Sequence, residues 1–357
     1  MKKTIVHVID SLGRGGAETM LVNLLEDLNN SYNVVLVTLN NLSHFSNDEI
    51  ICKEKYCLNY YSHKDLPFAV IKLKKIIKLH QPVLVRTDLF WSTIIGRLAC
   101  PKSVPFIFCI HNTLSHDAFN KNQISLYLEK LTYNRKQTLL SVSKAALDDY
   151  DKYVKIKGRN FVLNNFINSD FFLQEYNFNP QSLSKIRLVA VGNLRAAKNY
   201  EFLLNAIDII KNEADVTLDI IGEGGLQNKL QDIVNRKNLP VTFLGKRSNI
   251  HEMLSFYNAF VMCSLYEGFG NSPVEAMAIG LPLILNDTEV MREMSKGNAI
   301  YFESNDTESL SKIIIDLKNK KEELLALSEK GKIIAKENYT KKKYIAELLN
   351  LYDEVTG

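Results

Sequence analysis

The chain has few of the residues that stapled or metal-clustered folds depend on. Its five cysteines, Cys52, Cys57, Cys100, Cys109 and Cys263, are odd in number and scattered, without the paired short spacings of a zinc site. That usage fits buried thiols in a reducing cytosol best. No run approaches the roughly 18 consecutive apolar residues needed to cross a bilayer. The opening MKKTIVHVID has only a short apolar run and no small-residue cleavage site, so it reads as a first strand and not a signal peptide. Eight prolines and sixteen glycines in 357 residues exclude collagen and low-complexity disorder. The sole D-x-D triplet, Asp149-Tyr150-Asp151, sits in a helical pattern and reads as a solvated helix end, so no metal site is assigned. Charge of one sign is also scarce, with 44 Lys plus Arg against 40 Asp plus Glu, and no nucleic-acid partner is expected.

What is present is rhythm. Short β-branched runs alternate with helix-length segments: Thr4 to Ile9, Val34 to Leu39, Val83 to Thr87, Phe106 to Ile110 and Thr138 to Val142. The pattern restarts at Ile186 to Val191 and continues through Val216 to Ile221, Val241 to Leu244, Ala259 to Cys263, Pro282 to Leu285 and Ala299 to Phe302. Strands separated by helices mean parallel sheets with crossover helices, so the fold class is α/β with two Rossmann-like, doubly wound domains. The stretch from Asn164 to Ser184 lacks periodicity. We place a first domain at 1–170, a linker at 171–185, a second domain at 186–338 and a terminal helix at 339–357 that packs across domains. Residues 1–170 carry 22 basic and 15 acidic side chains, a net of +7, which leaves −3 for the rest. The two halves therefore meet different surroundings.

Open parallel sheets take ligands beyond the carboxyl ends of their strands, so the loops there should carry the chemistry, facing a cleft between the domains. After the first strand, Gly13, Gly15 and Gly16 precede a helix and offer backbone amides to an anion. A dinucleotide fingerprint would need glycine at 18, where Glu18 stands. The second domain opens with Val191-Gly192-Asn193-Leu194-Arg195-Ala196-Ala197-Lys198, whose Arg195 and Lys198 suit a diphosphate. The segment Tyr266-Glu267-Gly268-Phe269-Gly270-Asn271-Ser272-Pro273-Val274-Glu275 reads as a glycine loop with Ser272 as N-cap, Pro273 at the first helical position and a helix stopped by Gly280. Glu275 can then either close a capping box with Ser272 or meet a ligand.

Glu267 and Glu275 around Gly268-Phe269-Gly270 resemble the E-x7-E motif of retaining glycosyltransferases with the GT-B fold, most closely family 4. Gly15-Gly16-Ala17-Glu18, His111, Val191-Gly192-Asn193-Leu194 with Lys198, Ile221-Gly222-Glu223-Gly224 and Phe243-Leu244-Gly245 fall in the family's order, so the resemblance covers the whole chain. It implies that Glu275 binds the donor ribose and that Glu267 lies beside the transferred sugar. Amides of Phe269, Gly270 and Asn271, with Ser272, would contact sugar hydroxyls or the distal phosphate. Gly15 and Gly16 would close on the diphosphate, Lys198 would bind phosphate, His111 would lie near the reacting sugar, and Arg247 near the base. Asn193 stands where the family usually has arginine, and Arg195 is taken to supply that cation. The family's P-N-G-V-D linker is replaced by Asn164-Asn165-Phe166-Ile167-Asn168.

The implied activity is retaining transfer of a sugar from a nucleoside diphosphate donor, expected to be UDP-linked, to a glycan or lipid-linked oligosaccharide in cell-surface polysaccharide synthesis. No cofactor or metal is required in that reading. A sugar-nucleotide epimerase of the same fold and a non-catalytic nucleotide-sugar-binding protein remain alternatives. The segment Pro67 to His80 groups Val70, Leu73, Ile76 and Ile77 on one side and spreads Lys72, Lys74, Lys75 and Lys78 over the rest. It is either a crossover helix or a basic amphipathic contact with anionic membrane, which would place the protein in the cytoplasm, peripheral on the inner face of the plasma membrane.

Overall fold

The β-branched runs form strands and the intervening segments form helices in the computed structural model, which describes residues 2–13, 15–114, 123–173, 178 and 183–357. The chain divides into two units, Met1–Asn165 with Lys342–Gly357, and Phe166–Lys341.

In the first unit, β1 (Thr4–Ile9) leads to α1 (Gly16–Ser31), β2 (Asn33–Thr38), β3 (Glu54–Cys57), α2 (Leu66–His80) and β4 (Leu84–Asp88). Then come α3 (Phe90–Ala99), β5 (Phe106–Ile110), α4 (Gln123–Thr132), β6 (Gln137–Ser141), α5 (Lys144–Val154) and β7 (Asn160–Val162). The seven strands are parallel in the order β3-β2-β1-β4-β5-β6-β7. Helices cover both faces, which is why β4, β5 and β6 are buried at every position. The D-x-D triplet lies inside α5, where Tyr150 is buried and Asp151 accepts from the Ile156 amide at 2.7 Å.

The second unit runs through α6 (Asp170–Leu173), β8 (Ile186–Val191), α7 (Tyr200–Ile210), β9 (Val216–Ile221), α8 (Gln227–Lys237), β10 (Val241–Gly245) and α9 (Ile250–Met253). It continues with β11 (Ala259–Met262), α10 (Asn271–Ile279), β12 (Leu283–Asn286), α11 (Glu289–Ser295), β13 (Ile300–Phe302), α12 (Thr307–Asp316) and α13 (Lys321–Asn338). Its six parallel strands follow β10-β9-β8-β11-β12-β13. Both sheets are thus doubly wound, with the strand order reversing between β1 and β4 and between β8 and β11. The final helix α14 (Lys341–Thr356) starts at the last residue of the second unit and packs in the first, where Tyr344, Leu348, Leu351 and Tyr352 are buried.

The apolar side read from Pro67 to His80 does not face outward. In α2, Ala69, Leu73, Ile76 and Ile77 are buried in the core of the first unit with Val70 packed against it, as a crossover helix requires. Lys72 donates to the Cys57 carbonyl at 2.5 Å. A second apolar stripe is exposed instead, with Phe68 at 73%, Ile71 at 52% and Leu79 at 70%. All five cysteines are free thiols, but only Cys109 and Cys263 are buried as expected; Cys52, Cys57 and Cys100 are partly exposed.

Candidate active site

A doubly wound sheet leaves a crevice where its strand order reverses, because the two central strands send their loops to opposite sides. In the second unit β8 and β11 pair over only two residues, Leu188 with Ala259 and Val189 with Phe260. Beyond that the chains part, and the split is bridged by one side chain and one main-chain hydrogen bond. The Ser272 hydroxyl donates to the Val191 carbonyl at 3.0 Å, and the Leu265 amide donates to the Ala197 carbonyl at 2.8 Å. The loop 192–194 is backed by the turn after β9: a Cβ on Gly222 would run into the Gly192 carbonyl, so that strand can end so close to its neighbour only as glycine.

Three of the residues singled out in this unit converge at the crevice. Lys198 ends a short 3-10 turn, and its Nζ donates to Glu267 Oε1 at 2.6 Å, with side-chain exposures of 11% and 9%. Glu275 lies on α10 within electrostatic reach of the same ammonium. Burial pushes its carboxyl up to about 7, and Lys198 pulls the other way. One buried cation thus serves two acids, and Glu267 has the closer hold on it.

The start of α10 differs from the sequence reading. The N-cap is Gly270, at φ 94°, and the helix begins at Asn271. A left-handed cap favours glycine, and it moves the start of the helix ahead of Ser272. Ser272 is therefore inside the first turn, bonded to Val191, and the capping box with Glu275 does not form. The N-cap glycine has no side chain with which to close this end of α10, whose positive pole faces the crevice loop. Phe269 is buried with its ring edge-on to Tyr339, so it can offer only main chain. Gly280 ends the helix at φ 97°, as its position in the sequence suggests. Asn193, Arg195 and Arg247 are exposed on loops, and the structure does not draw the two arginines into the Lys198 cluster.

The first unit holds the other part. Gly15 is the N-cap of α1, and Gly16 opens the helix. A side chain at Gly15 would collide with the Glu18 carboxylate, which curls back over this helix end. Burial raises the Glu18 pKa, and its own amide and His111 oppose the shift. His111 follows β5 and is tied to residues that the sequence reading did not single out. Its Nε2 donates to Asp88 Oδ1 at 2.7 Å. Asp88, the last residue of β4, also accepts from Arg86 Nε at 3.2 Å and Nη2 at 3.1 Å, and from His7 Nε2. Burial disfavours the Asp88 charge, but Arg86, His7 and His111 outweigh it and hold the carboxyl well below its ordinary range. Burial likewise opposes charge on His111, while Cys109 and Asp88 keep the imidazole protonated up to about 10.

The next residue, Leu89, has φ 76° and ψ 170°, a region that costs a non-glycine residue about 1–3 kcal/mol. Three contacts hold it there: the Ser92 hydroxyl to the Asp88 carbonyl, Thr93 Oγ1 to the Leu89 carbonyl at 2.7 Å, and the Ser92 amide to Asp10 Oδ1 at 2.7 Å. Asp88, Cys109 and His111 also bring three ligand-type atoms within 4.8 Å of one another. Both Asp88 oxygens are already occupied by donors, two of them from a buried guanidinium, so this set suits protons better than a cation. The signal that could have found this cluster is Arg86 and Asp88 themselves, charged residues in the strand-forming run that opens Val83-Leu84-Val85.

Residues 14–171 match the family described as Glycosyltransferase Family 4, and residues 174–334 match Glycosyl transferases group 1. The chain is 26% identical over 305 residues to the N-acetylgalactosamine-N,N'-diacetylbacillosaminyl-diphospho-undecaprenol 4-alpha-N-acetylgalactosaminyltransferase of Campylobacter jejuni, covering 78% of this chain and 79% of the relative. Among solved structures it resembles sucrose-phosphate synthase of Thermosynechococcus elongatus, with TM-score 0.83, 17% identity and 99% of each chain covered. Anabaena HepE in complex with UDP has the same TM-score at 19% identity, over 99% of this chain and 100% of that one. The chain therefore belongs to the family 4, group 1 glycosyltransferases and has the GT-B fold of two Rossmann-like domains.

Proposed function

We propose that the protein transfers a sugar, with retention at the anomeric carbon, from a UDP-linked donor to a glycan or lipid-linked oligosaccharide. The observation that carries this reading is the Lys198–Glu267 pair with Glu275 beside it at the crevice of the second sheet. A carboxylate that burial makes reluctant to ionise gains most from a ligand that donates hydrogen bonds, and the two hydroxyls of a ribose do so. Lys198 is set for the distal phosphates, with Arg195 as a second cation and the amino-terminal end of α10 as a third source of positive potential. Gly15 and Gly16 are assigned to the same diphosphate, Asn193 and Ser272 to the rim, and Arg247 to the base.

Transfer passes through an oxocarbenium-like state while negative charge grows on the departing diphosphate. Lys198, Arg195 and the helix amides stabilise that charge, and no metal ion is called for. Glu267 steadies positive charge on the sugar, and His111 orients the reacting sugar. The acceptor attacks from the face the diphosphate leaves. The name of the Campylobacter jejuni relative includes a diphospho-undecaprenol acceptor, and solved relatives hold UDP and UDP-glucose, which supports this choice of donor and acceptor class. A lipid-linked acceptor calls for work at the cytosolic face of a membrane, and the exposed Phe68, Ile71 and Leu79 among Lys74, Lys75 and Lys78 are assigned to that contact.

A panel of nucleotide-sugars screened by thermal stabilisation tests the donor. A ligand at 100 times its Kd adds about 2.7 kcal/mol, so the true donor should stand out. With that donor, nucleoside diphosphate should appear only when a lipid-linked or glycan acceptor is added, and the new linkage should keep the donor's anomeric configuration by NMR. Release without acceptor, alongside an altered donor sugar, would point to the epimerase.

A further inference from the structure

His111 stands on a buried polar assembly that a merely structural histidine does not require. Asp88, 2% exposed, accepts from four donors that fill both of its oxygens: two from Arg86, one from His7 and one from His111. His7 is neutral, since burial lowers its pKa, and its Nδ1 has no partner among the described residues, so its single proton sits on Nε2 and points to Asp88. Arg86 spends its remaining nitrogen on the last helix of the chain, where Nη1 donates to Tyr352 Oη at 3.1 Å. Tyr352 is itself fully buried, edge-on to Tyr32 with ring centroids 5.9 Å apart. The strained Leu89 locks the main chain directly after Asp88, so the carboxylate cannot drift.

We propose that Asp88 is the positioning residue of His111: clamped by Arg86 and, through it, by Tyr352 of α14, it accepts the hydrogen bond from Nε2–H and, with Cys109 on the same imidazole, fixes the ring in one orientation towards substrate. The role rests on the reading that His111 touches the reacting sugar. In that arrangement the carboxyl-terminal helix is part of the site's machinery, although Tyr352 is 266 residues from Arg86 in sequence. The charge state follows from the neighbours. From β4 the imidazole meets Asp88 and Arg86, from β1 His7, and from β5 Cys109. Glu18 of α1 acts on it from another side, Glu129 of α4 lines the same small pocket, and Tyr344 and Tyr352 of α14 lie behind Asp88. With His7 neutral, the anions Asp88 and Glu18 balance Arg86 and a protonated His111.

The test is the side-chain nitrogen spectrum of the histidines in the full-length protein, recorded from about pH 5 to pH 10 and assigned with His111→Gln. Expected is a wild-type His111 that stays doubly protonated through neutral pH, with its midpoint falling by about two units or more in Asp88→Asn. Tyr352→Phe, which removes one hydroxyl and keeps the ring, should lower it by a smaller amount and reduce kcat while leaving KM for the donor unchanged. A wild-type His111 that is neutral at pH 7, or one whose midpoint is indifferent to Asp88→Asn in a folded protein, overturns the proposal. Should Asp88→Asn fail to fold, the wild-type titration and Tyr352→Phe decide alone, and no change in either the midpoint or kcat for Tyr352→Phe counts against it. The spectra need no substrate. If they behave as expected while no nucleotide-sugar supports transfer, the proposed activity fails and the coupling of Asp88 to His111 stands; the converse result separates the two the other way.

Discussion

Lys198 and Glu267 form a 2.6 Å ion pair at the crevice of the second sheet, with both side chains about nine-tenths buried. Two charges removed from water cost several kcal/mol each, and their attraction does little more than offset that. Such a pair is weak evidence for stability and better evidence for a site kept ready for charge. Under the proposed function, a donor's diphosphate would compete with Glu267 for the same ammonium, so that binding would exchange one partner of Lys198 for another.

Lys198→Met should remove one stabiliser of the leaving group and lower kcat about a hundredfold or more. It also strands Glu267 in a buried place, which costs about 3–5 kcal/mol in comparable pairs. The double variant Lys198→Met with Glu267→Gln should recover much of the melting temperature and none of the activity. Recovery of activity along with stability would show that the lysine acts only on the fold.

Glu275→Gln separates binding from folding. In the fold its carboxyl is raised from 4.5 to about 7, so the native state holds its proton more tightly than the unfolded chain does. Stability is then lost as pH rises from about 4.5 through 7, and the neutral amide escapes that loss. The variant should melt higher than wild type at pH 8, by a margin that shrinks towards pH 5, and should bind the donor more weakly. Unchanged donor affinity in a folded variant removes the ribose role.

His111 carries the same sign in a higher window. Its pKa is raised from 6.5 to about 10, so the stabilisation it gives is complete below 6.5 and lost as pH climbs to 10. His111→Gln should flatten the decline in melting temperature across that alkaline range. An identical slope in both proteins would mean that the imidazole is not held charged.

The rhythm of β-branched runs was enough to place most strands, because a sheet covered on both faces needs continuous apolar segments. The two strands it did not reveal, β3 and β7, are half-exposed edges with sequences EKYC and NFV, which carry no such run. Glu267, Lys198 and Glu275 could be singled out because they lie on, or within a few residues after, loops whose glycines mark the strand ends. The Ser272 cap was misread because Ser-Pro-Val-Glu is a sound capping box on local grounds, and only the Val191 carbonyl across the crevice decides otherwise. His7 reaches Asp88, and Tyr352 reaches its neighbour Arg86, from distant parts of the chain, and such pairings leave no local pattern.

The exposed face of α2 gives the last prediction. Its buried stripe is spent on the core, so any membrane contact rests on Phe68, Ile71 and Leu79, which are more than half exposed on a helix that also exposes Lys74, Lys75 and Lys78. Each lysine near an anionic surface contributes about 1 kcal/mol, and that attraction fades within a Debye length of about 8 Å at physiological salt. The apolar residues add a part that salt does not screen. Sedimentation with vesicles should therefore show binding to anionic but not neutral lipid, weakened by salt. Replacing Lys74, Lys75 and Lys78 with glutamine should remove the salt-sensitive part, and Phe68→Ser with Ile71→Ser the remainder. Transfer to a detergent-soluble acceptor should survive both sets, since neither touches the Lys198 crevice or His111. Binding that ignores lipid charge, or persists in both variants, assigns the contact to another surface.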